Sequence, residues 1–122
     1  MYRSAMQVFV KGSAAALEFY QRAFDAKLLC AYPDADGKLM HAEIDVYGQT
    51  VMVSEQGEEA TVTGNAMMFC LHFGEGKEAV VQSIYDVLKD GATLLSPLGP
   101  CDYSPLETDI IDRFGVRWCI FV

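Results

Sequence analysis

The order of apolar and amphipathic runs in this chain is written twice. Met6–Val10 is a short apolar run, Ser13–Phe24 an amphipathic stretch, and three alternating runs follow up to Glu55. The order returns after residue 64: an apolar run over 65–73, an amphipathic stretch over 77–89, then three more runs to Val122. Asp25-Ala26 closes the first amphipathic stretch and Gly91-Ala92 the second. A β-α-β-β-β unit of this size has too little material to bury both faces of its sheet. Two copies are therefore expected to share a core, and the cleft where copies meet is the expected place for function.

The 122 residues suffice for one domain, read as module one over 1–55, a linker over 56–64 and module two over 65–122. A hydrophobic content of 52% excludes a disordered chain. No apolar run is long enough to span a bilayer, and residues 1–4 carry no apolar leader, so a cytoplasmic protein with no membrane partner is expected. The net charge of −8, with only nine Lys and Arg, argues against nucleic acid, whose affinity comes from basic residues displacing counterions. The acids Glu55, Glu58 and Glu59 read as a solvated linker. Cys30, Cys70, Cys101 and Cys119 contain no C-x-x-C pair and read as free thiols in a reducing compartment.

Local patterns place the elements. Ser13 is a plausible N-cap for a helix whose buried stripe is Ala16, Leu17, Tyr20, Ala23 and Phe24. Residues 26–32 read as a strand and 33–37 as a turn. Over 38–46, Met40, Ala42, Ile44 and Val46 alternate against His41, Glu43 and Asp45; a turn at Gly48-Gln49 and a strand over 50–54 follow. Met67, Phe69, Leu71 and Phe73 are expected under the second helix, whose own core residues are Val80, Val81, Ile84, Val87 and Leu88. Residues 93–96 form a short strand, and Pro97-Leu98-Gly99-Pro100 opens a loop reaching Pro105. The last strand pair spans 107–112 and 116–122, with Arg113-Phe114-Gly115 turning between them.

The segment Asp112-Arg113-Phe114-Gly115-Val116-Arg117-Trp118 resembles the D-x-F-G-V/H-x-W signature of the vicinal oxygen chelate superfamily, which includes glyoxalase, bleomycin resistance proteins and dihydroxybiphenyl dioxygenase. Three further segments resemble its PhnB-like, glyoxalase-related branch in order and spacing: Leu17-Glu18-Phe19-Tyr20 through Phe24, Leu39-Met40-His41-Ala42-Glu43, and Leu95-Ser96-Pro97-Leu98-Gly99-Pro100. The resemblance covers nearly the whole chain. It implies an α+β fold of two βαβββ modules, the sheet curled into an open half-barrel with helices outside, and a homodimer. Asp102-Tyr103 and Thr108 depart from the branch's usual aromatic pair and glycine.

Superfamily enzymes hold a divalent metal on the first, fourth, fifth and last strands, using His, Gln or Glu. Those positions fall here at Gln7, at Met52 or Ser54, near Met68, and at Cys119. Met and Cys are soft ligands ill suited to magnesium, manganese or iron. No metal or other cofactor is therefore expected, with a divalent metal as the alternative. The expected partner is a small organic ligand in a cavity walled by Gln7, Phe9, Met52, Met68, His72, Arg117, Cys119 and Phe121, with Tyr103 in a loop able to cover it. The alternative that the resemblance implies is a metal-dependent glyoxalase-like lyase, isomerase or dioxygenase with an atypical site, and two catalytic candidates stand beside the binding reading. His41 shares a face with Glu43 and Asp45, and Glu107 shares one with Asp109. Each pattern fits a solvated or hydrogen-bonded strand face as well as an acid–base pair.

Overall fold

The computed structural model describes all 122 residues. The chain divides into two compact units, Met1–Thr61 and Val62–Val122. The first runs β1 (Met6–Val10), α1 (Ser13–Phe24), β2 (Lys27–Pro33), β3 (Leu39–Val46) and β4 (Gln49–Glu55). The second runs β5 (Phe69–His72), α2 (Glu78–Leu88), β6 (Thr93–Cys101), β7 (Ser104–Ile111) and β8 (Arg117–Phe121). Each unit builds one four-stranded mixed sheet, in the orders β1-β4-β3-β2 and β5-β8-β7-β6. The first strand of each unit pairs parallel with the last, and the other pairs are antiparallel. This is the α+β fold of two βαβββ repeats expected from the sequence, and neither sheet is closed. No helix is long and apolar enough to cross a membrane.

Each helix covers one face of its own sheet. Under α1, Ala16, Leu17, Tyr20, Ala23 and Phe24 are buried with Val8, Val10, Ala42, Ile44, Val46, Val51 and Val53. Under α2, Val81, Ile84 and Leu88 are buried with Ile110, Trp118 and Ile120. Because strand side chains alternate, this burial commits every second residue to the opposite face. The sharpest turn lies between β7 and β8. Asp112 N donates to Val116 O at 2.8 Å and Gly115 N to Asp112 O at 2.9 Å, which leaves Gly115 at φ 88°. A side chain would be strained there, so glycine is required.

Five expectations are corrected. Ser13 is not the cap: it is the first helical residue, and Gly12 precedes it in the left-handed region. Capping comes instead from Glu55, read from sequence as a linker acid. Its Oε1 accepts from Ser13 N at 3.0 Å and Ser13 Oγ at 2.8 Å, and its Oε2 from Gly12 N at 3.1 Å. Ser13 Oγ in turn accepts from Leu39 N at 2.8 Å. One carboxylate at the end of β4 thus ties the start of α1 to β3.

Met40, expected in the core, is 72% exposed. A register shift pairs Tyr32 with His41 and then Pro33 with Leu39, so Met40 is the bulged residue and Leu39 takes its buried place. The fifth strand is shorter than expected: Phe69 is level with Trp118, β8 begins one residue earlier at Arg117, and Met67 is left exposed. Residues 97–101 are not loop. β6 continues through Pro97 and Pro100 because it is an edge strand, where a missing N–H costs no ladder bond, and three register shifts absorb the irregularity.

Candidate functional site

On the uncovered face of the first sheet, register alone assembles a polar row. Gln7 is level with Met52, Met52 with Glu43, and Glu43 with Cys30. Phe9 and Ser54 are level one row away, as are Tyr32 and His41. Glu43 is the hub. Its two oxygens accept from Arg3 Nη1 and Nη2, both at 2.9 Å, and Oε1 also meets His41 Nε2 at 2.9 Å. The bonds from Arg3 first, then from His41, hold the Glu43 carboxyl at about 2. Gln7 Nε2 donates to Val8 O, Met52 O and Ser54 Oγ, which fixes the amide against its own sheet. Phe9 is 61% exposed.

The uncovered face of the second sheet carries a different chemistry. Cys70 is level with Cys119, and Cys119 with Asp109. In the next row His72, Phe121 and Glu107 are level. The His72 ring stacks on Phe121 with centroids 4.4 Å apart and an interplanar angle of 9°. Tyr103, in the turn between β6 and β7, meets Phe121 edge-on at 5.3 Å. Beside Phe121 in this row, Glu107 is buried. Its Oε2 accepts from Ser96 Oγ at 2.7 Å and its Oε1 from Cys119 Sγ at 3.7 Å. Both contacts are neutral, and Glu107 takes part in no ion pair. Burial pushes the Cys119 thiol up to about 12. Tyr103 Oη lies 3.8 Å from the same sulfur, and this contact is the chief cause of the phenol's upward shift.

The sequence-predicted residues therefore fall into two groups. His72, Tyr103, Glu107, Cys119 and Phe121 come together in the second unit. Gln7, Phe9, His41 and Met52 lie on the uncovered face of the first. Arg117 is spoken for: Nε and Nη2 bind Asp109 at 3.0 and 2.7 Å, and Nη1 donates to the Asn65 carbonyl. Met68 lies just before β5, and the residue opposite Cys119 is Cys70. Arg3, Cys30 and Ser96 were not foreseen as site residues, whereas alternation along the fifth strand sets Cys70 on the same face as His72. Arg3 sits outside any strand, and Cys30 reaches the uncovered face only through a bulge that leaves no sequence signal.

The profile of the Glyoxalase/Bleomycin resistance protein/Dioxygenase superfamily matches residues 4–120. The chain belongs to this superfamily. Among curated relatives, Mb0911c of Mycobacterium bovis is 30% identical over 118 residues, covering 91% of this chain and 76% of that protein. Rv0887c of Mycobacterium tuberculosis is also 30% identical, covering 91% of this chain and 68% of its own length. Three solved structures share the fold. The PhnB protein of Bacillus cereus aligns at TM-score 0.82 with 22% identity, covering 98% of each chain. PA1353 of Pseudomonas aeruginosa aligns at 0.83 with 21% identity, covering 99% of this chain and 97% of that one. The fosfomycin resistance protein FosX of Listeria monocytogenes aligns at 0.70 with 13% identity, covering 98% and 91%.

A superfamily metal would sit on the first, fourth, fifth and last strands, and the residues present there do not fit a hard divalent cation. β1 offers Gln7, whose amide is engaged by its own sheet, and β4 offers Met52 and Ser54. β5 and β8 offer Cys70 and Cys119, and the latter is a buried thiol that resists ionisation. A thiol must lose its proton to bind metal, and thioether and thiol donors discriminate against magnesium and manganese.

Proposed function

We propose that this superfamily member binds a small, flat, uncharged or cationic organic molecule on the second unit's uncovered face, without a metal at the superfamily positions. The observation that carries this reading is the His72–Phe121–Tyr103 ring set, with the buried Glu107 level with Phe121 in the same row. Aromatic faces attract flat ligands and cations, and a carboxylate matched only to neutral donors leaves negative charge beside them. Arg117, already neutralised by Asp109, has no free fork for an anionic ligand. The chain's net charge of −8 further favours a cation over an anion.

The test is a fluorescence titration with two planar dyes, the cation proflavine and the anion 1-anilinonaphthalene-8-sulfonate. Proflavine is expected to bind one per chain and more tightly than the sulfonate. Tyr103→Ala is expected to weaken proflavine by about tenfold, the worth of one good aromatic contact. Equal binding of both dyes, or indifference to Tyr103→Ala, would remove the reading.

We also propose that the chain functions as a homodimer. Leu28, Leu29 and Tyr32 are exposed on the edge strand β2, and pairing covers such edges. Light scattering at micromolar protein is expected to give twice the 13.5 kDa chain mass. A monomer mass would refute the proposal.

A further inference from the structure

The first unit holds a second constellation, which the small-molecule reading does not use. Cys30, His41 and Glu43 present a thiol, an imidazole and a carboxylate whose donor atoms all lie within 4.8 Å of one another. His41 and Glu43 share a face because they are two apart on β3. Cys30 joins them by a specific irregularity. Leu28 is level with Ile44, so an unbroken antiparallel register would set Leu29 opposite Glu43. The register shifts between Leu28 and Cys30, and Cys30 takes that position instead. The bulge thus exchanges an apolar side chain for a metal-ligating one at the position opposite a buried carboxylate, and bulges are a common device for re-aiming a side chain.

The donor set differs from the superfamily positions in both place and chemistry. It lies on β2 and β3, which contribute none of those positions. One sulfur, one nitrogen and one oxygen donor are the mixture that zinc accepts, with three protein ligands leaving a fourth position for water. His41 Nε2 and Glu43 Oε1 are already 2.9 Å apart, near the edge of a tetrahedron with metal–ligand distances of about 2 Å. What stands in the way is a cation. Arg3 grips both Glu43 oxygens, yet its own side chain is 47% exposed and it lies in an irregular segment preceding β1. It can leave without disturbing the sheet.

We propose that Cys30, His41 and Glu43 form a zinc site, with Arg3 as the built-in competitor that neutralises Glu43 when the metal is absent. On binding, the Cys30 thiol gives its proton to solvent, the Nε2 proton of His41 is replaced through solvent by one on Nδ1 so that Nε2 can bond the metal rather than donate to Glu43, and Arg3 swings away. The expectation of a metal-free chain drawn from β1, β4, β5 and β8 does not extend to this face.

The test uses the full chain, stripped of metal by chelator and titrated with Zn²⁺, and with Co²⁺ as a spectroscopic stand-in. One Zn²⁺ per chain should bind, and Co²⁺ should produce a near-ultraviolet thiolate charge-transfer band. Cys30→Ser should abolish the band, and Cys30→Ser and His41→Ala should each weaken Zn²⁺ by about tenfold or more. Cys70→Ser, on the other sheet, should change neither. Arg3→Ala should tighten Zn²⁺ by about two- to fivefold, the worth of a half-exposed ion pair. Circular dichroism of each variant identifies loss of folding, and the Arg3→Ala result needs no ligand removed. Absence of stoichiometric zinc, binding unaltered by Cys30→Ser, or weaker binding in Arg3→Ala would each overturn the proposal. None of these outcomes bears on proflavine binding in the second unit.

Discussion

Trp118→Ala is expected to destabilise the protein by about 4–6 kcal/mol in chemical denaturation. Trp118 is fully buried between β8 and α2, its ring edge-on to Phe69 with centroids 5.3 Å apart. Emptying such a site costs about 3–5 kcal/mol in lost contacts and cavity. A second cost is polar. Trp118 Nε1 donates to Asp112 Oδ2 at 2.9 Å, while Asp112 Oδ1 accepts from Phe114 N at 2.8 Å and Val116 N at 3.1 Å. Removing the indole takes a strong donor from a buried carboxylate, worth about 1–3 kcal/mol. Should the alanine variant fail to fold, Trp118→Phe separates the effects: it keeps most of the ring and loses the donor, for an expected cost of about 2 kcal/mol. A loss below about 1 kcal/mol for Trp118→Ala would contradict the packing described here.

Glu55→Ala is expected to cost about 2–3 kcal/mol, an unusual amount for a side chain at a strand end. The carboxylate accepts three hydrogen bonds from Gly12 and Ser13, and charge-assisted bonds of this kind at a helix start carry such values together. The effect also has a pH signature. The Ser13 N–H, first among the causes, holds the Glu55 carboxyl below its ordinary 4.5, and Glu43 is held at about 2 by Arg3 and His41. Both groups are more acidic folded than unfolded. Their contribution is therefore complete above the ordinary carboxylate range. It is lost as the pH falls from about 4.5 towards 2, where the unfolded chain takes up protons first. Denaturation midpoints between pH 6 and roughly 2 should fall steeply in the wild type and less steeply in Glu43→Gln and Glu55→Gln. Parallel pH curves for wild type and variants would show that these carboxyls are not held as described.

The repeat and the helix stripes were legible because periodicity reports burial directly. The turn at Gly115 and the stop at Gly91 were legible because positive φ is chemically restrictive, and both glycines adopt it. What sequence left hidden lies in register. Nothing local says that Met40 bulges out, that β6 runs through two prolines, or that Cys30 rather than Leu29 is level with Glu43. These follow from pairing with strands distant in sequence. Glu55 was misread for the same reason: beside Glu58 and Glu59 it looks like one more linker acid, and only the parallel pairing of β1 with β4 carries it to the start of α1. Alternation along the last strand put Cys119 and Phe121 on one face, and along β7 put Glu107 with Asp109; that His72, Phe121 and Glu107 fall level in one row comes from the pairing of β5, β8 and β7.

The most direct test of the account is to map where a flat cation binds. Proflavine titrated into isotope-labelled protein should move the NMR signals of His72, Tyr103, Glu107 and Phe121 in saturable fashion, leave those of Arg3, Cys30 and Glu43 in place, and do so equally in the presence of EDTA. Shifts centred on other residues, or shifts that appear only when Mn²⁺ is supplied, would contradict a metal-independent small-molecule site on the second unit.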